Sequence, residues 1–441
     1  MIEPIVLKGF RDSLPEQEIP KKRLMARLER IFSLYGFSPI DTPALEYTNV
    51  LLGKGGGETD KQIFRFQDNG GREVALRFDL TVPFARFVAA HPAELSRPFK
   101  RYHISKVWRG ENPQKGRYRE FYQCDFDIVG VDNAYSDAEI LSTMAFCFET
   151  IFSSDRSAYR FHISHRGLFN DFLDRLDVRS KSVEILRAVD KLRKIGRDEV
   201  LEILASETGS REKAEMILSF ITPVEGESFA DTLSRLVSLV GMQTDAALRM
   251  SQIHALLEAE GIAESFVLDP SITRGLDYYT GLVYETFLTG LPSIGSVCSG
   301  GRYNNLASLY TKEELPGVGS SIGLDRLLAA LEELGSPILA DRSSAQVLIV
   351  SEDKDASYAS DVRIADELRR NGISCDVYPF TVKKMKAVYD YSDRNHIPVI
   401  LIYNWKGERS LKLTGTKESV QLADNEVISA IKERIPGPAG L

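Results

Sequence analysis

Between Trp108 and Gln123 the chain reads Trp-Arg-Gly-Glu-Asn-Pro-Gln-Lys-Gly-Arg-Tyr-Arg-Glu-Phe-Tyr-Gln. Arg109, Arg117 and Arg119 crowd with Glu111 and Glu120 around a turn marked by Pro113 and Gly116, and aromatic residues stand at both ends. Proline and glycine so placed punctuate a strand-loop-strand. Strand-like runs joined by short turns recur from residue 72 to 132, among them Val74–Thr81 and Phe121–Val129. Short turns between strands imply antiparallel pairing and rule against a βαβ succession. The hairpin's residue types also suit a polyanion. An arginine fork matches phosphate oxygens, a carboxylate accepts from an adenine amino group, and a ring stacks on a base. Taken alone, a charge run of this kind more often describes an exposed hairpin with a salt-bridged face.

The rest of the chain sets this hairpin in a larger plan. Leu24, Leu28, Ile31, Phe32 and Tyr35 fall at helical spacing over Pro20–Tyr35, and Gly36 stops the pattern. Residues 166 to 262 read as a mostly helical insertion, with Val183–Val189, Val200–Leu204 and Leu233–Leu236 helical in composition. Strands return from Val267 to Phe287, and a helix carrying Leu324, Leu327, Leu328 and Leu331 on one face closes a first domain, residues 1–335. Residues 336–344 read as a linker. Beyond it, in 345–441, strands at Ala345–Val350, Cys375–Tyr378 and Pro398–Tyr403 alternate with helices at Ala359–Arg370 and Lys383–Asn395. Regular alternation implies a small α/β domain with a largely parallel sheet.

Several function classes drop out. No apolar run approaches the ~20 residues of a membrane span, and the opening Met1-Ile2-Glu3-Pro4 lacks the basic and apolar regions of a signal peptide. A cytoplasmic protein with reduced thiols is expected, since Cys124, Cys147, Cys298 and Cys375 are scattered. His162 and His165 stand three apart with no cysteine cluster beside them, which suits a strand end better than a metal site. The formal charge of -8 excludes indiscriminate coating of nucleic acid. Any RNA contact is local. In residues 381 to 417, Lys383, Lys384, Lys386, Arg394, Lys406, Arg409, Lys412 and Lys417 face only Asp390, Asp393 and Glu408, with Tyr389, Tyr391 and Trp405 between them. That mixture suits unpaired bases and phosphates, or else a solvated face of the small domain. Gly53-Lys54-Gly55-Gly56-Gly57 lacks the Lys-Ser/Thr of a P-loop and reads as a surface loop.

Two further segments decide between the readings of the hairpin. They are Thr273-Arg274-Gly275-Leu276-Asp277-Tyr278-Tyr279-Thr280-Gly281 and Gly317-Val318-Gly319-Ser320-Ser321-Ile322-Gly323-Leu324-Asp325-Arg326. Together with Trp108–Gln123, in this order and spacing, they resemble the histidyl-tRNA synthetases, a family of class II aminoacyl-tRNA synthetases. In that resemblance the three are motif 2, a family histidine motif and motif 3, and the helix at Pro20–Tyr35 with Phe37–Pro43 is motif 1, the element of a homodimer interface. The implied fold is α+β: a class II synthetase-like catalytic domain on an antiparallel sheet with a helical insertion, then a small α/β domain in the place of an anticodon-binding domain.

The resemblance also assigns roles. Arg109 and Arg274 bracket the ATP α-phosphate, Arg117 and Arg326 hold the γ-phosphate, Glu111 accepts from the adenine amino group, and Phe121 stacks under the base. Asp79, Thr81, Gln123 and Asp127 hold the amino and carboxylate ends of histidine, and Tyr278 and Tyr279 line its side-chain pocket. The run Ser299–Leu306, with Tyr303, resembles a second histidine motif, and Gln114 and Lys115 stand where the tRNA acceptor end arrives. Magnesium is implied by ATP chemistry, with no ligands named. Three departures stand out. Asp79 and Asp127 replace the Glu of many bacterial relatives, Asn304 stands where the family usually has Asp, and Asn404–Arg409 replaces a Gly-Glu-rich turn. The implied activity is histidine–tRNA ligation; the alternative is a catalytically silent, synthetase-like regulatory subunit of histidine biosynthesis.

Overall fold

The computed structural model describes residues 1–53, 62–272, 279–351, 354–403, 408–414, 416 and 419–434. They form two compact units, Met1–Arg11 with Met25–Ser336, and Asp12–Leu24 with Pro337–Leu441. The strands of the first unit are β1 (Ser38–Pro39), β2 (Leu45–Tyr47), β3 (Arg65–Gln67), β4 (Glu73–Leu76), β5 (Phe99–Trp108), β6 (Glu120–Val129), β7 (Tyr159–His165), β8 (Phe266–Leu268), β9 (Leu282–Leu288), β10 (Cys298–Tyr303) and β11 (Gly317–Gly323). Eight of them form one sheet, in the order β1-β5-β6-β11-β10-β9-β7-β8. From β5 to β7 every neighbouring pair is antiparallel; only the edge pairs β1–β5 and β7–β8 are parallel. A smaller antiparallel sheet, β2-β4-β3, stands beside it.

The alternation of side chains along a strand divides the work of the large sheet between its faces. One face is apolar and covered by helices. Phe32 on helix Pro15–Leu34 lies 4.9 Å from the Phe126 ring and 5.4 Å from Tyr102. Phe148 on helix Ala134–Ile151 lies 5.5 Å from Phe161. On β6 the alternate positions Gln123, Asp125 and Asp127 oppose Ser105, His103 and Arg101 of β5. These polar residues therefore share the other face, and all but Ser105 are buried.

Two expectations need correction. Val74–Thr81 is not one strand: β4 ends at Leu76, and Thr81 begins the helix Thr81–Ala90. The cause is local. The buried Arg77 side chain donates to the Lys106 carbonyl at 3.0 Å and to Thr42 Oγ1 at 3.2 Å, while Asp79 Oδ1 accepts from the Val82 backbone N–H at 3.1 Å. Asp79 thereby supplies the kind of side-chain acceptor that starts a helix.

The second correction concerns the sheet of the second unit, formed by β12 (Val347–Ser351), β13 (Cys375–Val377), β14 (Val399–Tyr403), β15 (Arg409–Leu413) and β16 (Ser419–Leu422) in the order β13-β12-β14-β15-β16. The pairs β12–β13 and β12–β14 are parallel, but β14–β15 and β15–β16 are antiparallel. A parallel return needs a crossover of about a dozen residues, and the chain from Tyr403 to Arg409 is too short for one. Within this unit Arg23 donates to the carbonyls of Asp341 (3.0 Å) and Ser343 (2.8 Å).

Between β7 and β8 the chain is helical, from Arg166–Arg175 to Asp245–Ala259. His162 Nδ1 lies 2.8 Å from Asp269 Oδ2, and His165 accepts from the Gly167 N–H as a helix cap. No helix among the described residues is long and apolar enough to cross a membrane, and the four cysteines are unpaired.

Candidate active site

Residues 109 to 119 join β5 to β6 and hold Arg109, Arg117 and Arg119. Gln114 and Arg117 pair across the tip, where Gly116 adopts a φ of +71°. At the base, Arg109 N–H donates to the Arg119 carbonyl at 2.9 Å, and Arg119 Nε donates to the Glu111 carbonyl at 3.1 Å. A second clamp comes from the N-terminal segment. Arg11 lies 4.0 Å over the Tyr118 ring and pairs with Asp325 Oδ1 at 2.6 Å, while Asp325 Oδ2 accepts from the Tyr122 N–H at 2.6 Å. The loop is thus fastened to the helix Leu324–Glu333.

Arg109, Glu111, Arg117, Phe121, Gln123 and Arg326 line one cleft, with Ser296–Ser299 and Ser321 on its other wall. Arg109 is held by a bond from Nε to the Phe78 carbonyl at 2.9 Å, and its guanidinium lies 5.3 Å from the Phe121 ring centre. Arg326 Nη1 donates to the Ser296 carbonyl at 2.5 Å. Burial, then the neighbouring Arg117 and Arg109 charges, push the Arg326 guanidinium down to about 10, with Glu111 and Glu285 opposing. A cationic group so disfavoured gains from an arriving anion.

A second group lies on the polar face of the sheet. Asp127 Oδ1 accepts from the Tyr303 hydroxyl at 2.6 Å, and Oδ2 lies 2.7 Å from Arg101 Nη2. The close approach requires glycine at 319, since a Cβ there would fall 1.9 Å from Asp127 Oδ1. Gln123 Nε2 donates to Ser321 Oγ at 2.8 Å. Asp79 Oδ2 has no hydrogen-bond partner among the described residues, and burial raises its carboxyl to about 6, with the Val82 N–H, Arg109 and Arg101 opposing. Burial likewise raises Asp125 to about 7.

The structure therefore brings Arg109, Glu111, Arg117, Phe121, Gln123 and Arg326 together, and Asp127 with Tyr303 beside them. Tyr279 lies against Gly301, where a Cβ would come 2.9 Å from its ring, and Thr81 opens the helix after Asp79. Gln114 and Lys115 are exposed, and Lys115 pairs with Glu333 at 2.6 Å. Arg274 and Tyr278 lie outside the described residues, as do residues 54–57 of the glycine run and 404–407. Asn304 donates to Asp132 Oδ2 at 2.8 Å, a carboxylate that also pairs with Arg249 at 2.8 Å. An aspartate at 304 would instead face Asp132 with like charge.

Sequence reasoning missed Arg11, Tyr118, Asp325, Arg101 and Asp125. For the last two a signal existed: polar residues recur at every second position of both strands, Arg101-His103-Ser105 and Gln123-Asp125-Asp127.

Residues 9–327 match the family described as histidyl-tRNA synthetase. The chain belongs to that family. It is 54% identical over 401 residues to a histidine–tRNA ligase of Treponema denticola, covering 90% of this chain and 88% of the relative. It is 44% identical over 433 residues to one of Rhodopirellula baltica, covering 96% of each. Among solved structures it is similar to a crystal structure of histidyl-tRNA synthetase from Nostoc sp. PCC 7120, at a TM-score of 0.87 and 29% identity, over 99% of this chain and 100% of that one. The fold is accordingly the class II synthetase fold: an α+β domain on an antiparallel sheet with a helical insertion, and a small α/β domain after it.

Proposed function

We propose that the chain is a histidine–tRNA ligase, which activates histidine with ATP and transfers it to the 3′ end of tRNA(His). The observation that carries this reading is the convergence of Arg109, Arg117 and Arg326 on one cleft that continues to Gln123, beside the Asp127–Tyr303 pair. Histidine's carboxylate is already ionised at neutral pH, so attack on the α-phosphorus needs no general base. A carboxylate oxygen bonds to phosphorus, the bond to the bridging oxygen breaks, and pyrophosphate leaves. Charge grows on the non-bridging oxygens, and fixed cations are what the step requires.

In this reading Arg109 and Arg274 meet the α-phosphate, Arg117 and Arg326 the γ-phosphate, Glu111 the adenine amino group and Phe121 the base. Asp79, Thr81, Gln123 and Asp127 hold the amino-acid backbone, with Tyr278, Tyr279 and Tyr303 around the side chain. The tRNA's terminal ribose then displaces AMP, near Gln114 and Lys115. Glu111, in the cleft, and Glu285 are the carboxylates acting on Arg326. A magnesium ion carried mainly by phosphate oxygens would neutralise charge on the triphosphate. The second unit takes the place of an anticodon-binding domain, and a cytoplasmic homodimer is the expected form. The curated relatives named histidine–tRNA ligase favour this reading over the regulatory subunit.

The test is histidine-dependent exchange of labelled pyrophosphate into ATP without tRNA. Wild type exchanges; Arg274→Ala loses about 3 to 4 kcal/mol of transition-state stabilisation, as for a preorganised oxyanion donor, with little change in histidine affinity. Near-normal exchange in the variant removes Arg274 from this role. No exchange in either protein favours the regulatory subunit.

A further inference from the structure

Behind Asp127 lies a cation that the proposed chemistry does not touch. Arg101 is 0% exposed and stands opposite Asp127 in the β5–β6 register. Its Nη2 is 2.7 Å from Asp127 Oδ2, and its guanidinium carbon lies 4.3 Å from the centre of the Phe84 ring. Among the described residues, none of its three side-chain nitrogens makes a hydrogen bond of sound geometry. A buried arginine with unused donors is a poor device for stability, since an apolar side chain of similar volume fills such a site at lower cost.

What surrounds Arg101 supplies a different reason for its presence. Asp79, Asp125 and Asp127 are each at most 2% exposed and lie close enough to influence one another's ionisation. The three acids share one fully buried cation, Arg101, while Arg77 acts on Asp125 and Arg109 on Asp79. Burial raises Asp125 to about 7 and Asp79 to about 6. Asp127 is also raised by burial, but the Arg101 charge and the Tyr303 hydroxyl pull it back. Apart from Arg77 and Arg109, the other groups facing the cluster are neutral near pH 7. His103 is held down at about 3 by burial and by Arg101 and Arg77. Burial raises the Tyr303 and Tyr284 phenols well above their usual range, Tyr310 to about 12 and the Cys298 thiol to about 12. Arg109 acts on Asp79 from the ATP side, and Tyr279 faces Tyr303 and Tyr284.

We propose that Arg101 is a positioning residue for the amino-acid substrate, pairing with Asp127 and aiming its carboxylate to meet the substrate's ammonium group. The inference rests on the reading of Asp127 as an amino-acid contact. It also accounts for a short acid at 127: the aspartate is fixed from behind by the guanidinium and from the side by Tyr303, and Gly319 leaves it room.

The experiment measures pyrophosphate exchange from pH 6 to 8.5 for wild type, Arg101→Met and Arg101→Lys, with KM for histidine, KM for ATP and kcat taken separately. Arg101→Met is expected to raise KM for histidine at pH 7 by about tenfold to a hundredfold, the scale of a lost charge-assisted contact. KM for ATP and kcat change little. The rise shrinks as pH increases, because Asp127 must then lose its proton without help. Arg101→Lys keeps a point charge without the planar fork and shows a smaller rise of the same pH sense. A merely structural role predicts instead less active enzyme, with unaltered KM and pH profile, and that result overturns the proposal. If Arg101→Met does not fold, Arg101→Lys decides alone: an unchanged KM for histidine across the pH range overturns it. Absence of histidine-dependent exchange in wild type is a separate failure, that of the active-site reading itself.

Discussion

The two large sheets of this molecule are built on opposite plans. In the second unit, both faces of β12 and β14 are apolar: Val347, Ile349, Val399 and Leu401 pack to one side, and Leu348, Val350 and Ile400 to the other. Such near-continuous hydrophobic runs suit a sheet covered on both faces. In the first unit the sheet spends one face on packing and gives the other to Arg101, Asp125, Asp127 and Gln123, equally hidden from water. The contrast separates two uses of burial. In one sheet it supplies stability through packing; in the other it strengthens charges that are already in place, because electrostatic interactions gain in a site from which water is excluded.

That contrast can be broken by mutation. Leu401→Ala removes a fully buried side chain from the second sheet and is expected to cost about 2 to 5 kcal/mol of stability. Pyrophosphate exchange per folded molecule should stay at the wild-type level. Chemical denaturation alongside an exchange assay checks both, and a loss of exchange at full folding would show that the second sheet serves the chemistry too. Gly319→Ala does the reverse. Its Cβ displaces the Asp127 carboxylate, so kcat/KM for histidine should fall about a hundredfold, the scale of a misplacement near 1 Å. The midpoint of unfolding should shift far less than for Leu401→Ala.

A smaller effect sharpens the electrostatic half. Asp125 titrates at about 7 in the folded protein, against an ordinary value of 3.8. The native state therefore binds the extra proton between those values, and stability declines as pH rises through that window. Asp125→Asn should flatten the decline and leave the variant more stable than wild type at pH 8. Urea midpoints at pH 5 and pH 8 measure it; parallel pH profiles for the two proteins contradict the assignment.

Much of the architecture was legible because it rests on apolar periodicity. Leu24, Leu28, Ile31 and Phe32 marked the helix Pro15–Leu34, and Val347–Val350 and Val399–Ile402 marked two strands of the second sheet. The errors arose where polar side chains override periodicity. Val74–Thr81 alternates like a strand, but buried Arg77 and the Asp79 turn divert it. The direction of β15 and β16 followed from the length of a connection, not from strand composition. In the site, the resemblance supplied the residues proposed to touch substrate, and the structure added those behind them. Arg101 and Asp125 went unread, because the alternation of polar residues along a single strand does not show that its second face is also buried. Asp325 likewise carried no sign of its role, which is to join Arg11 to the Tyr122 backbone.

The most direct measurement is a calorimetric titration of histidine into wild type and Asp127→Asn at pH 7.5. If the polar face of the large sheet is the amino-acid pocket, wild type binds histidine and Asp127→Asn binds it about 10- to 100-fold more weakly, as expected for loss of a charged hydrogen-bond acceptor. Equal affinity in the two proteins would place the amino acid elsewhere and contradict the account.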